Sequence, residues 1–332
     1  MTTLIDVLQA RRRIAPYLRR TPLVAPAWLS GLAGAHVWLK LESLQLSNSF
    51  KSRGAFNAVL ARLERGAARD QPLVTASAGN HGQALAAAAE LFHVPLVVFT
   101  PADAPQTKLA AIRRHGADLR PEGRDYDHAE RLALEFSRQR GAPFISPYND
   151  PDIVAGAGTI ALEVFEDLPD VGAMLLPIGG GGLISGVAMT ARAIAPAHRS
   201  IGVEAEASHA FLTSVAAGRL VAITPGPTLA DGLGGNPDPQ TITFGMIQQF
   251  VDHIVTVSED DLASAVAGLV EHEHLVTEGA GAAATAAIVG RRIALDGLRV
   301  AVIVSGSNID RARLMSVLGW VPGKRDISAS AF

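Results

Sequence analysis

The sequence predicts an α/β protein made of open, twisted, mostly parallel sheets with helices on their faces. Three observations predict it. Between residues 73 and 310, short apolar runs alternate with stretches that carry apolar residues at helical spacing, the pattern of a parallel sheet covered by helices. Four of the strand-like runs lead into loops of the kind where open α/β sheets hold their ligands. The chain has 332 residues, enough for two domains and a sizeable core.

The elements follow in order. Residues 37–41 alternate as a strand, and 50–63 carry apolar residues at helical spacing. Strand 72–75 runs through Ala76, Ser77, Ala78, Gly79, Asn80, His81 and Gly82 into an alanine-rich helix, 83–92. Strand 96–99 and helices 107–116 and 127–139 come next, then strand 144–145 and helix 154–166. Strand 173–178 ends in the tetraglycine Gly179 to Gly182 and the apolar segment 183–194. Strand 200–203 precedes an irregular stretch marked by Pro225, Pro227, Pro237 and Pro239 before Phe250. Strand 253–257, helix 260–272 and strand 300–304 lead to Ser305-Gly306-Ser307-Asn308 and a helix from Asp310.

Composition narrows the function classes. A net charge of −3 and a pI near 6.4 give no electrostatic reason to expect nucleic acid or a membrane surface as partner. Arg11 to Arg13, with Arg19 and Arg20, read as the solvated face of an N-terminal helix. There is no cysteine, which removes disulfides, thiolate nucleophiles and cysteine metal sites and suits the cytoplasm. No secretory signal pattern opens the sequence. The uncharged stretch 171–191 has the length of a membrane span, but Pro177 and four glycines make a continuous helix there costly.

The chemistry begins at Lys51. A lysine at a strand-to-helix junction feels the positive end of the helix dipole and poor solvation, and both depress its pKa. A depressed amine is what a Schiff base to an aldehyde cofactor requires; a solvated surface lysine is the plain alternative. Four glycines after a buried strand, with a helix behind them, suit a phosphate. A dinucleotide fingerprint is the rival, but the G-x-G-x-x-G offsets are missing between Gly179 and Gly186. Tight strand–helix packing is the structural alternative.

Four motifs occur in order: Ser49-Phe50-Lys51-Ser52-Arg53-Gly54-Ala55, Ser77-Ala78-Gly79-Asn80-His81-Gly82, the tetraglycine, and Ser305-Gly306-Ser307-Asn308. Together they resemble the serine/threonine dehydratase family of fold type II pyridoxal-phosphate enzymes, the tryptophan synthase β-like fold, in the threonine ammonia-lyase and serine racemase branch. The resemblance covers nearly the whole chain. It implies two α/β domains with pyridoxal 5'-phosphate in the cleft between them: residues 1–70 and 148–332 as the large domain, and 71–147 as the small one. It implies a Schiff base at Lys51, Phe50 against the ring, Asn80 on the ring hydroxyl and Ser305 at the ring nitrogen. The phosphate then lies in the amides of Gly179, Gly180, Gly181, Gly182 and Leu183. Ser77, Ala78, Gly79, Asn80 and His81 line the substrate, whose carboxylate suits the amides of a helix start. A turn hydroxyl closing on its own backbone is the plain reading of Ser305, and a polar residue without chemical role that of His81.

Two positions discriminate within the branch. A neutral hydroxyl at the ring nitrogen makes a weaker electron sink than a carboxylate-held pyridinium, which favours β-elimination over a long-lived carbanion. Racemases of the family carry a serine where this chain has Ala78, and alanine has no proton to exchange. The resemblance therefore implies a dehydratase, in which Lys51 removes the α-proton of a 3-hydroxy amino acid and the β-hydroxyl leaves. Threonine, serine, or a bulkier relative such as phenylserine or hydroxyaspartate would be the substrate, and a 2-oxo acid and ammonia the products. A racemase or β-replacement synthase is the second reading, and a non-catalytic pyridoxal-phosphate or amino-acid binding protein the third.

Several side expectations complete the reading. Glu204 matches a cation-binding acid of relatives, but Ala210 stands where a divalent ion needs a second carboxylate. A monovalent cation on Glu204 and the carbonyls of Ser208 and Ala210 is expected instead. Ser47-Asn48 replaces the usual Thr-Gly, and asparagine tolerates left-handed backbone. Ala157 stands where glutamine is common and reads as packing. His272 and His274 face different sides of a helix, and Asp125, Asp127 and His128 read as solvated. The resemblance implies a homo-oligomer, dimer or tetramer, and the end at Phe332 leaves no length for a C-terminal regulatory domain.

Overall fold

The structure is a computed structural model that describes residues 2–319; residues 320–332, the end of the expected large domain, lie outside the described residues. In chain order the elements are α1 (Leu4–Ile14), β1 (Leu23–Val24), α2 (Ala27–Ala33), β2 (His36–Lys40), α3 (Lys51–Glu64), β3 (Leu73–Ala76), α4 (Asn80–Phe92), β4 (Leu96–Pro101), α5 (Gln106–Arg113), β5 (Asp118–Gly123) and α6 (Tyr126–Arg140). There follow α7 (Pro151–Asp167), β6 (Ala173–Pro177), α8 (Gly182–Ile194), β7 (Arg199–Ala205), α9 (Ala210–Ala217), α10 (Ile242–Phe250), β8 (His253–Val257), α11 (Glu259–Glu273), α12 (Gly279–Val289), β9 (Arg299–Ile303) and α13 (Arg311–Leu318).

The strands form two sheets. One has six strands in the order β1-β2-β9-β6-β7-β8, and the other three in the order β3-β4-β5. All pairs are parallel except β1 with β2. β2 and β9 pair from His36↔Arg299 to Lys40↔Ile303. That pairing brings the loop before α3 beside the loop after β9. Strand β6 is buried at every residue, as expected of a strand covered by helices on both faces.

Local sequence explains where the helices begin and end. Thr3 and Asp6 close a capping box on α1, and Ser258 and Asp261 close one on α11. Asp150 accepts from the amides of Asp152 and Ile153, with Pro151 in the first turn of α7. Gly34, Gly141 and Gly218 end α2, α6 and α9 in left-handed conformation.

A buried ion network anchors α3. Arg53, 1% exposed, donates to both oxygens of Glu42 at 2.7 and 2.8 Å and of Glu163 at 2.7 and 2.8 Å. Lys40 donates to Glu163 and to the Thr21 carbonyl at 2.6 and 2.7 Å. Burial works against ionisation of Glu163, but the hydrogen bonds and charges of Arg53 and Lys40 outweigh it and hold the carboxyl below its ordinary range.

The structure corrects several element expectations. Residues 144–145 form no strand; Phe144 makes one isolated parallel bridge to Val74. Strand β5, read in no way from the sequence, closes the smaller sheet. Its residues, Asp-Leu-Arg-Pro-Glu-Gly, are charged and contain a proline, which only an edge strand tolerates. The stretch before Phe250 contains helix α10, and α12 is a helix with no polar face.

Candidate active site

The loops at the carboxyl ends of β2, β3, β6 and β9 converge on one cavity of about 370 Å³, where open parallel sheets present their ligand sites. Phe50, Lys51, Ser77 to His81, Gly179 to Leu183 and Ser305 all line it. Glu204, Ser208 and Ala210 do not line this cavity.

Lys51 opens α3, and its Nζ donates to the Pro147 carbonyl at 2.8 Å and stands 5.1 Å from the centre of the Phe50 ring. Burial lowers its pKa to about 8, and the charge of Glu278 partly opposes the shift. The amine is thus partly unprotonated near neutral pH.

The tetraglycine has two tasks that the sequence did not separate. Gly181 has φ +85° and precedes α8 with no side-chain cap, so the first-turn amides of Gly182 and Leu183, residues that line the cavity, are left without a side-chain partner. Gly180 and Gly182 make room for Tyr148: a Cβ on Gly180 would lie 2.2 Å from its ring, and one on Gly182 3.0 Å from its Cα. The Tyr148 hydroxyl accepts from the Asp238 amide at 2.9 Å, and Thr243 Oγ1 donates to the Gly180 carbonyl at 2.9 Å.

Helix α4 begins at Asn80, again with no side-chain cap, while Ser77 Oγ accepts from the Gly79 amide at 3.2 Å. His81 is 2% exposed, and its Nε2 pairs with the Ile145 carbonyl at 3.2 Å. A carbonyl only accepts, so Nε2 carries the proton. Burial and then the charge of Lys51 push the imidazole pKa down to about 3, so His81 is a neutral group and not a base near neutral pH. Ser305 is 4% exposed, and its Oγ donates to the Ala280 carbonyl at 3.3 Å. The turn is stitched in place by Phe50 N to Ser305 O at 3.0 Å and Ser305 N to Gly281 O at 3.4 Å.

Several side chains of the cavity wall, among them Glu278, Asp127 and Tyr148, escaped the sequence reading. Glu278 lines the cavity, 6% exposed, and accepts from Asn80 Nδ2 at 2.6 Å. Burial raises its carboxyl to about 7. Its signal was a lone acid at the head of an apolar run, which also fits an ordinary helix cap. Asp127, read as solvated, lines the cavity beside Tyr126; Asp125, by contrast, caps α6.

The residues expected around a cation lie apart from this cavity, and the Glu204 carboxyl is engaged by backbone amides. Glu204 is 1% exposed, and its two oxygens accept from the amides of Phe211 and Leu212 at 2.9 and 2.7 Å. Burial raises its pKa to about 7. The carboxyl caps α9, the helix that contains Ala210, while Ser208 Oγ accepts from the Gly235 amide. Among the described residues no cluster of three or more His, Cys, Asp or Glu side chains is set to hold a metal. Among them, too, no helix is long and apolar enough to cross a membrane.

A half-buried amine and two uncapped helix starts around one cavity are the donors that an aldehyde carrying a phosphate and an amino acid carrying a carboxylate require. The family model described as "Pyridoxal-phosphate dependent enzyme" matches residues 14–306. The chain belongs to this family. The pyridoxal-phosphate enzyme is 40% identical over 310 residues to an L-threonine ammonia-lyase of Thermotoga maritima, covering 93% of this chain and 76% of that protein. Among solved structures it is similar to threonine deaminase isoform 2 of Solanum lycopersicum, with TM-score 0.87 and 32% identity over 96% of this chain and 92% of the other. It is also similar to maize serine racemase, with TM-score 0.89 and 29% identity over 95% and 96%. The fold is that of the fold type II branch, as the resemblance implied.

Proposed function

We propose that the enzyme is an ammonia-lyase for 3-hydroxy amino acids of the threonine and serine class, converting them to a 2-oxo acid and ammonia. The observation that carries the reading is Lys51, a half-buried amine with a pKa near 8 in a cavity whose wall has Ala78 and no second proton carrier at that position. The names of its relatives, an ammonia-lyase and a deaminase, support the same class.

When bound, pyridoxal phosphate supplies an electron-withdrawing ring that acidifies the substrate Cα–H bond. Lys51 would hold it covalently, the amides at the start of α8 its phosphate, and Phe50, Asn80 and Ser305 its ring. Lys51 Nζ takes the proton from the substrate Cα, and its lowered pKa leaves part of that amine unprotonated and able to do so. The amides of Gly79, Asn80 and His81 bind the substrate carboxylate, with Ser77 beside them and His81 as a neutral orienting group. Ser305 brings no negative charge to the ring nitrogen, which favours loss of the β-hydroxyl over reprotonation at Cα.

The racemase reading draws on the likeness to serine racemase, and Ala78 opposes it. Purified protein incubated with a panel of 3-hydroxy amino acids decides between them. Release of 2-oxo acid and ammonia is expected; inverted substrate without release would establish the racemase, and no reaction would leave a binding protein. We further propose a small domain of residues 71–147 set against 1–70 and 148–332, and a cytoplasmic homo-oligomer, dimer or tetramer, whose mass light scattering measures.

A further inference from the structure

A relay of side-chain amides runs beside Lys51. Asn48 Nδ2 donates to Asn308 Oδ1 at 3.3 Å, and Asn308 Nδ2 donates to the Ser47 carbonyl at 2.9 Å and to Asn80 Oδ1 at 2.7 Å. Asn80 Nδ2 then donates to Glu278 Oε1 at 2.6 Å. The polarity of this relay is set from both ends. The Ser47 carbonyl can only accept, so Asn308 must turn its NH2 group toward it and toward Asn80 Oδ1. At the other end the Glu278 carboxylate accepts from Asn80. Neither amide can flip without setting acceptor against acceptor. One N–H of Asn80 Nδ2 remains beyond the bond to Glu278, on a residue that lines the cavity.

Glu278 turns to Asn80 and not to its own helix. It is the residue preceding α12, yet its side chain makes no capping bond to that helix. A Cβ on Gly306 would lie 2.2 Å from Glu278 Oε1 and 3.2 Å from Asn80 Nδ2, so glycine at 306 leaves the space the pair occupies.

We propose that Glu278 is a positioning residue, whose carboxyl holds the Asn80 amide so that its free N–H points at the ring oxygen of pyridoxal phosphate. The proposal rests on Asn80 being a cofactor contact, and the two ideas fail separately. Glu278 acts through Asn80, so removing either should remove the same interaction.

The experiment titrates the apoprotein with pyridoxal phosphate and reads both the dissociation constant and the visible absorbance maximum of the complex. Asn80→Ala and Glu278→Ala are each expected to weaken binding about tenfold, the lower end for a hydrogen bond involving a charged group. Both should shift the maximum equally, and the double variant should be no weaker than either single one. Glu278→Gln, whose Oε1 accepts the same bond, should restore parental values. If Glu278→Ala does not fold, Gly306→Ala displaces the carboxyl instead and should again be non-additive with Asn80→Ala. Factors that multiply to about a hundredfold in the double variant, or an unchanged constant in Glu278→Ala, would overturn the proposal. An unchanged Asn80→Ala would overturn the cofactor contact of Asn80 and the proposal with it.

Discussion

Replacing Arg53 by methionine tests whether α3, the helix that carries Lys51, is anchored by the buried ion network. The arginine makes four charge-assisted hydrogen bonds of 2.7 to 2.8 Å to two carboxylates. Without it Glu163 keeps its ion pair with Lys40, but Glu42, fully buried, keeps the Thr21 hydroxyl at 2.5 Å and the more distant charge of Lys40. Stranding a buried charge in this way costs about 3–5 kcal/mol. With about 2.1 cal/mol/K of unfolding entropy per residue, a chain this long has about 0.7 kcal/mol/K. The midpoint of calorimetric unfolding should therefore fall by about 4–7 °C. The double variant Arg53→Met, Glu42→Met should regain at least half of the loss, because the orphaned carboxylate carries the penalty. A single variant that melts within a degree of the parent would refute the reasoning, and so would a double variant that melts lower still.

Three further outcomes are expected. In the apoprotein, the rate at which Lys51 captures pyridoxal phosphate should climb with pH and level off above about 8, because the unprotonated amine is the nucleophile and its pKa is lowered; a rate flat from pH 6 to 9 contradicts the assignment. Ala78→Ser should make the opposite enantiomer appear in unreacted substrate on chiral chromatography, with elimination persisting; no trace of it removes Ala78 as the discriminating position. Glu204 has a pKa raised from 4.5 to about 7 in the folded protein, so its contribution is full below 4.5 and lost as pH rises through 7. The unfolding free energy of the parent minus that of Glu204→Gln, from denaturant titration, should thus decline across that window by about 1 kcal/mol per pH unit, and a constant difference would show the shift to be absent.

The strands that position the site were legible because they are short, apolar and buried on both faces, as at 173–178 and 300–304. Strand β5 was not, because an edge strand is charged and broken by proline for its own protection. Helix α12 escaped for the opposite reason: glycine and alanine buried all round leave no amphipathic period to detect. At the site, Lys51 and the tetraglycine carried local signals. Glu278 did not, since its partner Asn80 is 198 positions away and nothing near it in sequence distinguishes a relay from a cap. Tyr148 was missed in the same way, because its reason for existing is the missing Cβ atoms of Gly180 and Gly182.

The pairing of β2 with β9 couples the earliest part of the chain to one of the last. During synthesis the nascent protein holds Lys51 long before Ser305 and Gly306 have emerged to stand beside Phe50 and Ser49. The wall around Lys51 is therefore complete only when β9 has taken its place in the sheet, so the site cannot form from the first third of the chain alone.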